Sequence, residues 1–193
     1  MSTELSDRAP AEVLGGVMRQ RRTNLNVDLE RAVPQEMIAE LLELATWAPN
    51  HRLTNPWRFS VLTGEARARL GELEAAGLER MDAPQAKIDS ARVKYLRAPV
   101  VLMVGSAADD DPVLHRENRD SVAAGVQNIL LAATAMGLAS KWSTGTAVDD
   151  AEVKALAGLE PRDELVAFVY LGWPSGHLPT STRGAPASRW MDT

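Results

Sequence analysis

The chain has 193 residues, 45% of them hydrophobic and 24% charged, so it is long enough to bury the core of one globular domain. Its formal net charge of −5 gives no basic field for nucleic acid, so a site for an anion must be local. The absence of cysteine excludes disulfides, thiol nucleophiles and cysteine-ligated metal centres. The three histidines lie far apart in the sequence, and the polar N-terminus lacks the pattern of a secretion signal. We therefore expect a cytoplasmic protein without a metal centre.

The first half of the chain predicts three helical regions around one strand. Apolar residues recur at helical spacing over 11–20, between Pro34 and Pro49, and more loosely over 65–95. Residues 57–63 alternate apolar and polar side chains, as a half-buried strand does.

The second half begins with a short unbroken apolar run at 99–105, which is typical of a strand covered on both faces. Residues 118–138 are apolar nearly all round a helix. Ser121 and Gln127 are among the polar residues that interrupt this stretch, and charged residues flank it, so we predict a central buried helix rather than a membrane span.

The remaining elements are short. Residues 140–145 predict a strand or loop, Asp149 or Asp150 is suited to cap a helix that runs to Leu156, and 164–172 predict another apolar strand.

Residues 173–193 form a C-terminal arm with three prolines and two tryptophans. Disordered tails seldom contain such large aromatic side chains. We predict that the arm is ordered, packs on a second subunit, and belongs to a single domain spanning residues 1–193.

Arg21, Arg22 and Thr23 follow the first helix directly. Two cations at this position can simply complement the negative end of the helix dipole, with Thr23 starting a turn. The same side chains also suit a phosphate clamp, because guanidinium groups and a hydroxyl match phosphate oxygens.

The stretch APNHRLTNPW, residues 48–57, is unusual for a connector between a helix and a strand. It can be read as a rigid loop leading to a core residue, Trp57. Alternatively, its two prolines restrict the backbone so that His51 and Arg52 point into a site.

The stretch SKWSTG, residues 140–145, also has two interpretations. It can be an ordinary strand ending in a glycine turn. Alternatively, the indole, hydroxyls and backbone N–H groups of Trp142, Ser143, Thr144 and Gly145 suit the flat polar ring of an aromatic cofactor.

The chain resembles the FMN-dependent nitroreductase family over about residues 13–174. The resemblance rests on the order of five stretches, which are the three clusters above, RAPVVLMVG, and the final ELVAFVYLGWP. The likeness is greatest to its small, single-domain bacterial branch. The resemblance implies an α+β fold with a mixed central sheet between helical layers. It also implies an intertwined homodimer with FMN at the subunit interface.

The resemblance further implies a set of cofactor-binding residues. Arg21, Arg22 and Thr23 would hold the FMN phosphate or ribityl chain, and His51 would contact the flavin from the partner subunit. The set is completed by Trp47, Trp142, Ser143, Thr144, Gly145 and Arg183. Leu53 and Asn55 stand where the commoner family pattern has asparagine and glutamine.

The implied activity is a ping-pong cycle. NADH or NADPH reduces FMN, which then reduces a nitroaromatic, quinone or similar acceptor, so no catalytic side chain is expected. Three alternatives stay open: different flavin chemistry such as dehalogenation or flavin breakdown, a flavin-binding protein without turnover, and a structural dimer without cofactor.

Overall fold

A computed structural model describes residues 9–191, and within this range the chain forms six α-helices and five β-strands. The helices are α1 (Pro10–Gln20), α2 (Gln35–Ala45), α3 (Glu65–Arg80), α4 (Gln85–Lys94), α5 (Pro112–Ala135) and α6 (Ala151–Leu156). The strands are β1 (Val27–Asp28), β2 (Trp57–Leu62), β3 (Val100–Ser106), β4 (Ala139–Ser143) and β5 (Glu164–Pro174).

The sheet is built around β5. One edge of β5 pairs with β3, which in turn pairs with β2. The other edge of β5 pairs with β4 and, beyond it, with β1 at the last two residues of the strand. These ladders are antiparallel, and an isolated parallel bridge joins Thr23 to Ser140. The sheet was expected to contain both parallel and antiparallel pairing, and this bridge supplies the parallel pairing.

Helices cover both faces of the sheet. Alternate β3 residues such as Leu102 pack with α2 and α5, whereas the intervening residues such as Met103 pack with α3 and α6. Every residue of β3 is buried, as its unbroken apolar run predicts. The α+β fold with a sheet between helical layers is thus confirmed.

The central helix differs from its prediction in both bounds. It begins earlier than 118, because Asp111 caps it by accepting from the Val113 N–H and Pro112 occupies the first turn. It ends before 138, because Gly137 adopts a φ of 81°. Apolar periodicity missed the first turns since they are polar. Among helices of the described chain, none has the length and apolarity needed to cross a bilayer.

One further segment differs from the sequence-based expectation, since the polar stretch after α1 contains the short strand β1. Of the two capping residues predicted for α6, Asp150 is the one that caps it. In the arm, Trp173 is anchored, since its indole N–H donates to the Ala32 carbonyl at 3.0 Å and Arg31 lies over its ring. Residues 175–191 have no regular structure and are exposed. Packing of the arm on a second subunit stays a prediction.

Replacing Gly71 by alanine should destabilise the fold. Gly71 lies where α3 meets α4, and a methyl group there would collide with the backbone carbonyl of Arg92. We expect a loss of about 1–3 kcal/mol in the free energy of unfolding by urea. The control is Gly16→Ala in α1, which meets no atom within 4 Å and should stabilise by about 0.5–1 kcal/mol. Equal effects of both substitutions would contradict this close packing of α3 and α4.

Candidate functional site

The end of α1 is held by Arg22. Its Nη1 donates to the carbonyl oxygens of Arg19 at 2.5 Å and Arg21 at 2.8 Å, which are otherwise unsatisfied groups of a helix terminus. Its Nε donates to the carbonyl of Pro179 at 3.1 Å. Arg22 therefore does cap the helix, as the simpler interpretation holds, and it also fixes the C-terminal arm against α1.

The arm and α1 together enclose an open pocket of about 440 Å³, lined by Met18, Arg19, Arg21, Arg22, Ser181 and Arg183. Every charged side chain that lines it in the described chain is an arginine. Arg183 also donates to the Thr182 carbonyl at 3.2 Å. The structure thus brings together the three arginines of the predicted cofactor-binding set, Arg21, Arg22 and Arg183, and creates a local positive site in an acidic protein.

The second cluster lies directly beside the first. Thr23 bridges Ser140 at the start of β4, and the Asn24 N–H donates to the Ser140 carbonyl at 3.0 Å. Trp142 is half-buried against the α2–α5 core, whereas Thr144 and Gly145 are exposed beyond the end of β4. The bridge therefore places the arginine pocket next to the indole and backbone predicted to meet an aromatic ring.

Two buried polar groups at this junction lack a partner within residues 9–191. They are the side-chain N–H₂ group of Asn24, a residue 3% exposed, and the hydroxyl of Ser140, a residue 2% exposed. A buried polar group without a hydrogen bond costs about 1–3 kcal/mol. Such groups are candidates to bind a ligand. Sequence reasoning missed both, although Asn24 directly follows the Arg-Arg-Thr cluster.

The loop between α2 and β2 has a constrained backbone. Arg52, Leu53 and Asn55 have φ values of 57°, 49° and 50°, in the left-handed region that arginine and leucine rarely adopt and asparagine tolerates. The side chain of Asn50 holds the loop by donating to the Thr54 hydroxyl at 3.0 Å and accepting from the Asn55 N–H at 2.9 Å. The loop is thus fixed by hydrogen bonds more than by burial.

The same loop is anchored to the first half of α5. Thr54 donates to the Asn118 amide oxygen at 2.5 Å, and His51 Nδ1 lies 2.6 Å from Glu117 Oε2. His51 stays exposed beside this carboxylate. Leu53 is 76% exposed and Trp47 is 75% exposed, with the Trp47 indole N–H donating to Glu43.

Within one chain the structure does not bring His51 to the arginine pocket. The His51 loop ends at Trp57, which pairs with Ser106 at the C-terminal end of β3. Ser140 lies near the other end of β3, because its partner on β5, Leu171, also pairs with Val100. The two ends of β3 are about 20 Å apart at 3.4 Å per residue. The predicted site residues thus form two separate groups.

Comparison with known proteins identifies the family. The model of the Nitroreductase family matches residues 18–173. The chain is similar to the YdjA protein of Escherichia coli K12, which is named as an NAD(P)H nitroreductase. The two are 29% identical over 153 residues, which cover 79% of this chain and 84% of the relative.

Solved structures show the same fold. A nitroreductase-like protein of Bacillus cereus superposes with a TM-score of 0.76 at 26% identity, covering 89% of this chain and 91% of that one. A Bacteroides fragilis nitroreductase with bound FMN gives a TM-score of 0.75 at 20% identity, covering 93% and 98%.

The fold is also shared by a protein with different chemistry. An iodotyrosine deiodinase bound to FMN and 3-iodo-L-tyrosine gives a TM-score of 0.72 at 23% identity, covering 93% of this chain and 100% of that one. Fold alone therefore does not select the reaction. The match of the family model over most of the sequence, together with the confirmed fold, shows that the chain belongs to the nitroreductase family.

Proposed function

We propose that the protein is an FMN-dependent oxidoreductase, which takes electrons from NADH or NADPH and reduces a nitroaromatic, quinone or similar acceptor. The observation that carries the proposal is the arginine pocket, which the Thr23–Ser140 bridge joins to Trp142 within a nitroreductase fold. The names of the similar proteins supply the expectation of NAD(P)H and FMN.

The residues present fit FMN. Arg21, Arg22 and Arg183 would hold the phosphate, because guanidinium groups donate charged hydrogen bonds to phosphate oxygens. The Thr23 hydroxyl would add to this site or to the ribityl chain. The unpaired Asn24 N–H₂ group and Ser140 hydroxyl would form hydrogen bonds with polar atoms of the same ligand.

The other end of the cofactor would lie along β4. Trp142 would give an aromatic contact. The backbone N–H groups of Ser143, Thr144 and Gly145, together with the hydroxyls of Ser143 and Thr144, would donate hydrogen bonds to the ring edge. Bound FMN supplies the hydride chemistry. The chain's own residues fix the phosphate, orient the ring and leave one face open, so that reductant and acceptor occupy the same place in turn.

We also infer that the site is completed by a second copy of the chain. Within one subunit, the His51 loop and the Ser140 bridge beside the arginine pocket lie at opposite ends of β3, about 20 Å apart along the strand. Large apolar side chains also remain exposed on α1, on the His51 loop and on the arm, namely Leu14, Met18, Trp47, Leu53 and Trp190. A homodimer would bury such surfaces and bring His51 to the partner's flavin.

The alternatives differ in what they predict for electron transfer. A flavin-binding protein without turnover would bind FMN but would not be reduced rapidly by NAD(P)H. A dehalogenating or flavin-degrading enzyme would be reduced yet would not pass electrons to nitro compounds or quinones. A structural dimer without cofactor would not be reconstituted with FMN.

The visible absorption spectrum distinguishes these possibilities. The purified protein should show a flavin band that bleaches when NADPH or NADH is added without oxygen, and that returns when a nitroaromatic or quinone is added. A band that persists with both nucleotides would support the flavin-binding alternative. Failure to bind added FMN would contradict the cofactor proposal.

Replacing Arg22 by alanine should weaken FMN retention. Loss of a charged hydrogen bond costs about 1.5–3 kcal/mol, which corresponds to roughly 10- to 150-fold in the dissociation constant. The measurement is titration of the apoprotein with FMN by fluorescence quenching. The control is Arg69→Ala, an exposed arginine on the opposite helical layer, which should bind FMN normally. Unchanged affinity in Arg22→Ala would count against the phosphate assignment.

The composite site can be tested by mixing subunits. We expect Arg22→Ala and His51→Ala homodimers each to lose FMN, because each removes a contact from both sites. A heterodimer of the two, isolated with two affinity tags, should contain one intact site and retain about one FMN per dimer. Loss of FMN from both heterodimer sites, or full retention in the His51→Ala homodimer, would contradict a site shared between subunits.

A further inference from the structure

A group of cations lies on the face of β4 opposite Trp142. Lys141 extends from β4 toward the α3 side of the sheet, where its ammonium group lies over the Tyr170 ring. Arg97 belongs to the same short 3₁₀ helix, Tyr95–Arg97, as the tyrosine that stacks on Tyr170. The nearby buried anion is Glu74, which is 6% exposed and pairs with the Lys94 ammonium at 2.8 and 2.9 Å. The group thus holds three cations and one carboxylate, so Lys141 and Arg97 are not neutralised by it.

Two stacked tyrosines position the ammonium groups. The rings of Tyr95 and Tyr170 lie 5.9 Å apart and nearly parallel, with an interplanar angle of 4°. Lys94 Nζ lies 5.0 Å from the first ring and Lys141 Nζ lies 5.9 Å from the second. Cation–π attraction holds both ammonium groups against this stack.

The electrostatics of the group favour an added anion. Burial and the charges of Arg97 and Lys94 lower the pKa of Lys141. The three cations therefore repel one another in a partly desolvated place. An anion bound between Lys141 and Arg97 would relieve this repulsion and favour the charged form of the lysine.

The group also lies beside the proposed flavin site. A Cβ atom at Gly145 would be 3.7 Å from Lys94 Nζ. Gly145 and its neighbour Thr144 are exposed and follow β4, where the ring edge is proposed to bind. Lys141, Arg97 and Lys94 are all at least partly accessible to solvent. A small molecule at the ring could therefore extend a substituent toward these cations.

We propose that Lys141 and Arg97, supported by Lys94, form a subsite for an anionic substituent of the acceptor, and that the enzyme prefers aromatic acceptors that carry a carboxylate. This inference rests on the proposed function and adds a substrate class to it. Lys94 remains paired with Glu74 and positions the group, whereas Lys141 and Arg97 bind the carboxylate.

A matched pair of nitro compounds tests the subsite. The holoenzyme is assayed with 4-nitrobenzoate and 4-nitrobenzamide, which differ mainly in charge. We expect kcat/KM for the benzoate to exceed that for the benzamide by tenfold or more. The double variant Lys141→Met, Arg97→Gln should lose this preference, because a charged hydrogen bond is replaced by a neutral contact. Lys87→Met, an exposed lysine of α4, should keep it.

A second measurement does not depend on turnover. Binding of benzoate and benzamide to the FMN-loaded protein is compared by calorimetry. Benzoate should bind at least tenfold more tightly to the wild type, and the Lys141→Met, Arg97→Gln variant should lose this preference. The charge-retaining variant Lys141→Arg, Arg97→Lys should restore the preference, which separates loss of charge from loss of fold. Equal binding of both compounds by the wild type would overturn the subsite. So would an unchanged ratio of the two affinities in the Lys141→Met, Arg97→Gln variant. Failure of the proposed function would appear separately, as a flavin that NAD(P)H does not reduce.

Discussion

The pairing of β3 with β5 is the interaction on which the rest of the structure depends. Both strands are apolar on both faces and buried almost throughout, so the sheet is stable only when helices cover it on each side. α5 and α2 cover one face, whereas α3 and α6 cover the other. The elements that carry the candidate site are all fixed relative to this central pair.

The same arrangement explains why the site residues separate. β4 and β1 share the outer edge of β5, which draws the end of α1 to the start of β4 through the Thr23–Ser140 bridge. β2 lies at the opposite edge, beyond β3, and the His51 loop precedes it at the far end of that strand. One chain therefore places the arginine pocket and the His51 loop at opposite ends of β3. Under the proposed function, a second copy of the chain would bring the two groups to one ligand.

Charge is distributed locally in this protein. The net charge is −5, yet arginines alone supply the charge of the pocket beside α1, and cations outnumber anions behind β4. Both cationic groups flank the β4 segment. Under the proposals above, the arginine pocket would bind the FMN phosphate and the cations behind β4 would bind the carboxylate of an acceptor. Local clusters of cations would thus allow an acidic chain to bind two anionic groups.

The sequence by itself determined the types of the longer elements and the family, because helical and strand periodicity is local and because several motifs occur in a distinctive order. It missed β1, which is only two residues long. Within the first motif, it also pointed to Arg21, Arg22 and Thr23 as a group. Only the tertiary structure placed Arg183 at the same pocket, left the Asn24 and Ser140 groups unpaired, and assembled Lys94, Arg97 and Lys141 around the stacked tyrosines. Those relations join residues far apart in the chain, and they depend on which strands pair and which face each side chain occupies, which no local pattern encodes.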